Sequence, residues 1–134
     1  MPARNPILLD TCVLINLEAT GRLDTISRTL HLKLLMTQRA RVEVGSLRDD
    51  VDGTIELVPI ELERHITAGV LPVTELRSEE LPTYVHLARD LGDGEASTIA
   101  AALNRSLVIA TDDRKARRVS LERGLAEPIR TADL

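Results

Sequence analysis

Two short apolar runs, each closed by carboxylates, constrain this chain more than any other feature. Ile7-Leu8-Leu9 runs into Asp10, and Leu107 to Ala110 runs into Thr111-Asp112-Asp113. Runs this short, without alternation, read as strands buried on both faces. Helical segments separate them. Val13, Leu14, Ile15 and Leu17 begin one that Gly21 ends, and Leu23 to about Leu30 forms a second. Thr37 is placed to cap a helix over Gln38–Leu47. Ser78-Glu79-Glu80-Leu81 resembles a helix start, with the helix running to Leu91. After the break at Gly92-Asp93-Gly94, Glu95 to Asn104 reads as an Ala-rich helix, and Arg114 to Arg123 as another closed by Gly124. Leu34–Met36 is a second strand. Val70–Val73 is a third, put at an edge or made irregular by Pro72. Pro128–Arg130 is a last short one. Asp49 to Gly53 is a polar break, and Ile55–Ala68 is partly helical with Pro59 near its start. Strands alternating with helices imply right-handed crossovers. The expectation is an α/β fold with three layers, α/β/α, around a central, mainly parallel sheet of four or five strands. In such sheets the functional crevice lies beyond the carboxyl ends of the strands, where Asp10, Asp112 and Asp113 fall.

The 134 residues fit one domain over 1–134. The chain is 43% hydrophobic but has no Trp, no Phe and one Tyr, Tyr84, so its core is built from Leu, Val, Ile and Ala. It offers no aromatic platform of the kind that RRM and OB domains use to stack bases. The net charge of -4 excludes binding to nucleic acid by bulk positive charge. It is compatible with a metal-dependent nuclease, because a carboxylate site is negative until cations fill it. Cys12 is the single cysteine, which rules out an internal disulfide and suits a reducing cytoplasm. The start lacks the apolar run of a signal peptide, and no apolar stretch approaches the roughly 18 residues that span a bilayer. The expectation is a soluble, cytoplasmic protein without membrane association.

Carboxylates gathered at neighbouring strand ends repel one another. A metal ion, a basic side chain or protonation must offset that repulsion. Hard oxygen donors with no organised His or Cys favour Mg2+ or Mn2+ over Zn2+. Such ions orient a phosphate, acidify a water and stabilise a leaving oxygen.

The ordered set Ile7-Leu8-Leu9-Asp10-Thr11-Cys12-Val13-Leu14-Ile15, Glu43, Gly92-Asp93-Gly94-Glu95-Ala96-Ser97-Thr98-Ile99-Ala100 and Val108-Ile109-Ala110-Thr111-Asp112-Asp113-Arg114-Lys115-Ala116-Arg117 resembles a PIN domain. It is most similar to the VapC-type toxins of toxin–antitoxin pairs. The resemblance implies an Mg2+- or Mn2+-dependent endoribonuclease that cuts RNA by water attack on phosphorus. It also implies a cognate antitoxin and a homodimer. It assigns catalysis to Asp10, Glu43, Glu95 and Asp113, and metal binding to Asp10, Glu95, Asp112 and Asp113, with Asp112 a close competitor of Asp113. Thr11, Arg114, Lys115 and Arg117 would meet the substrate. Many family members carry the third acid as Asp one position later, where this chain has Ala96.

Each of these residues also has an ordinary reading. Asp10, Asp112 and Asp113 suit turns and helix caps. Glu95 suits a helix start favoured by the helix dipole. Glu43 and the basic run suit solvated helix faces. Cys12 reads as packing in a core or crevice position, and His31, His65 and His86 as surface residues without ligand spacing. Two other function classes compete with the nuclease. One is a different Mg2+-dependent phosphohydrolase, although the phosphatase pattern needs an Asp where Cys12 stands. The other is a PIN-like binding protein without activity.

Overall fold

The computed structural model describes residues 6–29, 32–47 and 57–134. Four short strands occupy its centre: β1 (Ile7–Leu9), β2 (Leu34–Thr37), β3 (Val73–Thr74) and β4 (Ile109–Ala110). All pair in parallel, in the order β3-β2-β1-β4. Leu8 stands level with Leu35 on one side and Ile109 on the other. Seven helices among the described residues connect and cover the sheet: α1 (Thr11–Ala19), α2 (Arg22–Thr29), α3 (Gln38–Leu47), α4 (Leu57–Thr67), α5 (Leu81–Leu87), α6 (Asp93–Arg105) and α7 (Arg114–Glu122).

The strands alternate between two cores, as the period of two requires. Leu8 and Ile109 join Tyr84, Leu87, Ile99 and Ala116, from α5, α6 and α7. Leu9 and Ala110 join Val13, Leu17, Ile26 and Leu62, from α1, α2 and α4. Both faces of the parallel sheet are therefore covered, giving the three layers α/β/α that the sequence pattern implied. In α6, Ala96, Ala100, Ala101 and Ala102 are all buried, and their small side chains let the helix lie close against the sheet and α3.

The path of the chain creates the crevice. From β1 it moves outward to β2 and β3, then returns to the opposite side of β1 as β4. The two crossover directions part between β1 and β4, and the strand ends there leave an opening. Asp10 closes β1 and Thr111 follows β4 at that point.

Several boundaries differ from the sequence expectation. β3 begins just beyond Pro72, which has no N–H to give the ladder, although its carbonyl accepts from the Met36 N–H at 3.1 Å. Val70 and Leu71 instead turn back onto the carbonyl of His65. β3 does lie at the sheet edge. One tight turn, Ser78–Glu80, precedes α5, which stops at Leu87 rather than Leu91. α6 starts at Asp93 with Gly92 as its cap, two residues before the expected Glu95. Pro128–Arg130 gives a single bridge, Ile129 beside Ala110. Pro59 lies in the first turn of α4; the break at Asp49–Gly53, Ile55, Leu30 and His31 lie outside the described residues.

Two buried polar pairs were not visible in the sequence. Glu80, 1% exposed, accepts from Arg105 through Nε at 2.8 Å and Nη2 at 2.9 Å, and from the Arg77 N–H at 2.7 Å. Burial alone would raise its pKa, but these donors and Asn104 outweigh it and hold the carboxyl at about 2. Arg105 also donates to Thr74 Oγ1, so the pair clasps the edge strand and the start of α5 to the end of α6. His65, expected at the surface, is buried against Glu18 with Nε2 and Oε2 2.8 Å apart, joining α4 to α1. Its ring lies on the inward stripe of α4, which the ambiguous pattern of that segment concealed. No described helix is long and apolar enough to cross a membrane.

Candidate active site

Asp10 is 1% exposed and carries two loads at once. Its Oδ1 accepts from the Val13 N–H at 3.1 Å, capping α1. Its Oδ2 accepts from the buried hydroxyl of Thr111. Burial raises its pKa, the two hydrogen bonds lower it, and the charges of Asp112 and Asp113 raise it again, to about 6. The capping role and a place in an acidic site are thus both present.

Thr111 ties the two strand ends together. Besides donating to Asp10, its Oγ1 accepts from the Asp113 N–H at 3.2 Å. Asp113 caps α7 by accepting from the Ala116 N–H at 2.9 Å. Its neighbour Asp112 turns elsewhere. Asp112 Oδ1 accepts from the Thr131 N–H at 2.8 Å, and Oδ2 from Asn16 Nδ2 at 3.0 Å and from the Thr131 hydroxyl. Despite the opposing effect of burial, these bonds hold its pKa below the usual carboxylate value. Asp112 therefore fastens the C-terminal segment to α1.

Glu95 lies in the first turn of α6. Burial, followed by the charges of Asp113, Asp10 and Glu43, pushes its pKa up to about 7, offset in part by the Gly92 N–H. Its Oε2 is buried without a hydrogen-bond partner among the described residues. Glu43 reaches the same place from α3, where its Oε2 accepts from the Gly94 N–H at 2.9 Å. That N–H belongs to the first turn of α6 and has no acceptor within its own helix. Gly94 is demanded by this packing: a Cβ there would collide with Thr11 Oγ1 and stand 3.2 Å from Glu43 Oε1. Thr11 itself is buried, its hydroxyl without a partner among the described residues.

The structure thus brings Asp113, Asp10 and Glu43 within electrostatic range of Glu95, and Asp112 and Asp113 within range of Asp10. Cys12 is exposed, not packed in a core. Position two of α1 turns it outward, and burial followed by the charges of Asp10, Glu95, Asp113 and Glu43 pushes its thiol up to about 11. Both effects disfavour the thiolate that a nucleophilic cysteine needs. The basic residues separate. Arg114 is exposed. Lys115 Nζ donates to the Asp90 carbonyl at 2.8 Å. Arg117 Nη1 donates to the Pro128 carbonyl at 2.8 Å and Nη2 lies 3.5 Å from Glu127, so its guanidinium holds the segment after α7. Arg41 forks onto Glu63 at 2.8 and 2.6 Å. His86 is exposed.

No three acidic, imidazole or thiol side chains among the described residues stand at metal-ligating spacing. The donor chemistry nevertheless fits a hard dication. After burial, every group that raises Glu95 is another carboxylate, and its inner oxygen lacks a partner. Carboxylates in that condition gain most from a divalent cation.

A model of the PIN-domain family DUF3368 matches residues 6–127, a span that holds all of these acids. The chain belongs to the PIN-domain family. Members of this family are generally nucleases. The crystal structure of PAE2754 from Pyrobaculum aerophilum is similar in fold, with a TM-score of 0.63 and 20% identity over 95% of this chain and 90% of that one. No curated protein matches the chain. In this PIN domain four positions matter that the sequence reading did not single out: Thr111, Gly94, Asn16 and Thr131. Two had a signal, since Thr111 directly precedes the Asp pair and Gly94 directly precedes an acid. Asn16 and Thr131 had none, because only the fold brings them to Asp112.

Proposed function

We propose that this PIN domain is an Mg2+- or Mn2+-dependent endoribonuclease and acts as the toxin of a type II toxin–antitoxin pair. What supports this reading is the gathering of carboxylates at the mouth of the sheet, where Glu95, its Oε2 buried without a partner among the described residues, meets the charges of Asp113, Asp10 and Glu43. Asp10, Glu95 and Asp113 would hold the cation, with Glu43 completing the acidic set and Asp112 setting the position of Asp113. When bound, the cation supplies an acidified water and stabilises charge on the leaving oxygen. The protein's own residues do the rest. The Thr111 hydroxyl fixes Asp10 and the start of α7 together. The Gly94 N–H fixes Glu43. Burial and the neighbouring carboxylates raise Glu95 to about 7, so a cation held there would favour its ionised form. Exposed Arg114, at the first position of α7, would meet an RNA phosphate, and Thr11, buried beside Gly94, would support the start of α6.

The antitoxin and the homodimer follow from the resemblance to VapC-type toxins. An electronegative crevice of this kind suits a partner that inserts a basic side chain. The test is cleavage of single-stranded RNA by purified, partner-free protein with Mn2+. Wild type should cut, and Asp10→Asn should not, with an unchanged circular dichroism spectrum. Equal rates for the two proteins would reject the site. Rescue of growth by co-expressing the reading frame immediately upstream would support the toxin role.

A further inference from the structure

Beside the acidic crevice lies a cavity of about 610 Å³, within the range of roughly 300–1,000 Å³ that holds small ligands. Arg39, Val42, Leu76 and Leu81 form its walls, and Glu43 and Asp93 line it where it meets the acids. Val42 is 60% exposed and Leu81 42%, so apolar surface here faces water. The Arg39 guanidinium stands 4.4 Å from the centroid of the Tyr84 ring, and Tyr84 is itself held by donating its hydroxyl to Asp93 Oδ1 at 2.9 Å. The ring supports the guanidinium on one side, while Arg39 remains exposed on the other.

We propose that this cavity binds the base of the RNA nucleotide flanking the scissile phosphate, with Arg39 as its stacking platform. The proposal rests on the ribonuclease reading and names a substrate subsite within it. Glu43 borders both the cavity and the acidic crevice, so an occupant lies next to the reacting phosphate. Glu43, Glu75 and Asp93 repel a phosphate from the cavity itself but leave room for a neutral ring. A base can bury the faces of Val42 and Leu81 and stack on the guanidinium plane, as unpaired bases do on arginine. With no Trp or Phe in the chain and Tyr84 buried, Arg39 takes the part that an aromatic side chain plays elsewhere. The Glu75 carboxylate accepts hydrogen bonds only, which favours bases with an exocyclic amino group (adenine, cytosine or guanine) over uracil, whose single ring N–H lies between two carbonyl oxygens that the carboxylate repels.

Two measurements test this. The first maps cut sites in a randomised single-stranded RNA with Mn2+. Wild type should disfavour uracil at one position flanking the cut. Arg39→Ala and Arg39→Lys should both cut about tenfold more slowly, because lysine keeps the charge but not the plane. Glu75→Gln should mainly flatten the base preference. The second titrates metal-free wild type with AMP, CMP, UMP and ribose 5-phosphate, following the methyl signals of Val42 and Leu81. AMP and CMP should shift them, UMP less, and ribose 5-phosphate not at all. Cut sites and rates unchanged in both Arg39 variants would overturn the subsite. So would methyl shifts caused equally by ribose 5-phosphate, or methyl signals already buried by a second copy of the chain. If the titration succeeds while wild type cuts no RNA, the base pocket stands and the ribonuclease reading falls.

Discussion

Glu95→Gln removes a carboxylate that the fold keeps near three others, and it should stabilise the metal-free protein. The carboxyl is raised from 4.5 to about 7, first by burial and then by Asp113, Asp10 and Glu43. At about 1.4 kcal/mol per pH unit, that rise corresponds to ~3 kcal/mol of destabilisation once the group is ionised. Glu95 is only about half buried, so solvent screening reduces this to about 1–2 kcal/mol. The sign follows from proton binding. Between pH 4.5 and about 7 the folded chain keeps the proton that the unfolded chain has lost, so wild-type stability falls as pH rises through this window. Glutamine does not titrate. The two proteins should therefore melt alike below pH 4.5, and the variant should lead by roughly 3–6 °C at pH 8. Thermal unfolding followed by circular dichroism in EDTA, from pH 4 to 8, measures this. Adding Mn2+ should raise the wild-type midpoint more than that of the variant. A variant less stable than wild type at pH 8, or a gap that does not change with pH, would refute the crowding of charge at this site.

Gly94→Ala should destabilise by about 1–3 kcal/mol in urea unfolding, because its Cβ collides with Thr11 Oγ1 and crowds Glu43; it should also lower cleavage. Arg105→Ala leaves Glu80 buried and unpaired and should cost about 3–5 kcal/mol at pH 7. Since Glu80 sits at about 2, wild type holds this stabilisation above pH 4.5 and loses it as pH falls towards 2, so the gap should narrow at pH 3. Asp113→Asn should abolish metal-stimulated cleavage with a small change in melting, whereas Asp112→Asn should lower the melting temperature more than the rate, because Asp112 anchors Thr131 to Asn16. Arg117→Ala should loosen the segment after α7, seen as faster amide exchange near Ile129, rather than change the salt dependence of RNA binding.

The parallel sheet and its layers were legible because they follow from local pattern. Three or four apolar residues closed by a carboxylate suit only a strand buried on both faces, and the helical segments between such runs force crossovers. The same pattern places Asp10 and the Asp112–Asp113 pair at one end of the sheet. Which partners each member of that pair takes was not legible. It depends on Asn16 and Thr131, 96 and 19 residues away in the chain, which capture Asp112 and leave Asp113 to cap α7. His65 and Cys12 exchanged their expected places because the side of a helix that turns inward is set by its neighbours. For the same reason, only the tertiary structure could show that Arg117 bonds backbone carbonyls and that Arg39 lies over Tyr84 beside a cavity. The sequence determined which groups end each strand. The fold decided which of those groups meet, because hydrogen bonds and charge act over a few ångströms of space whatever the separation along the chain.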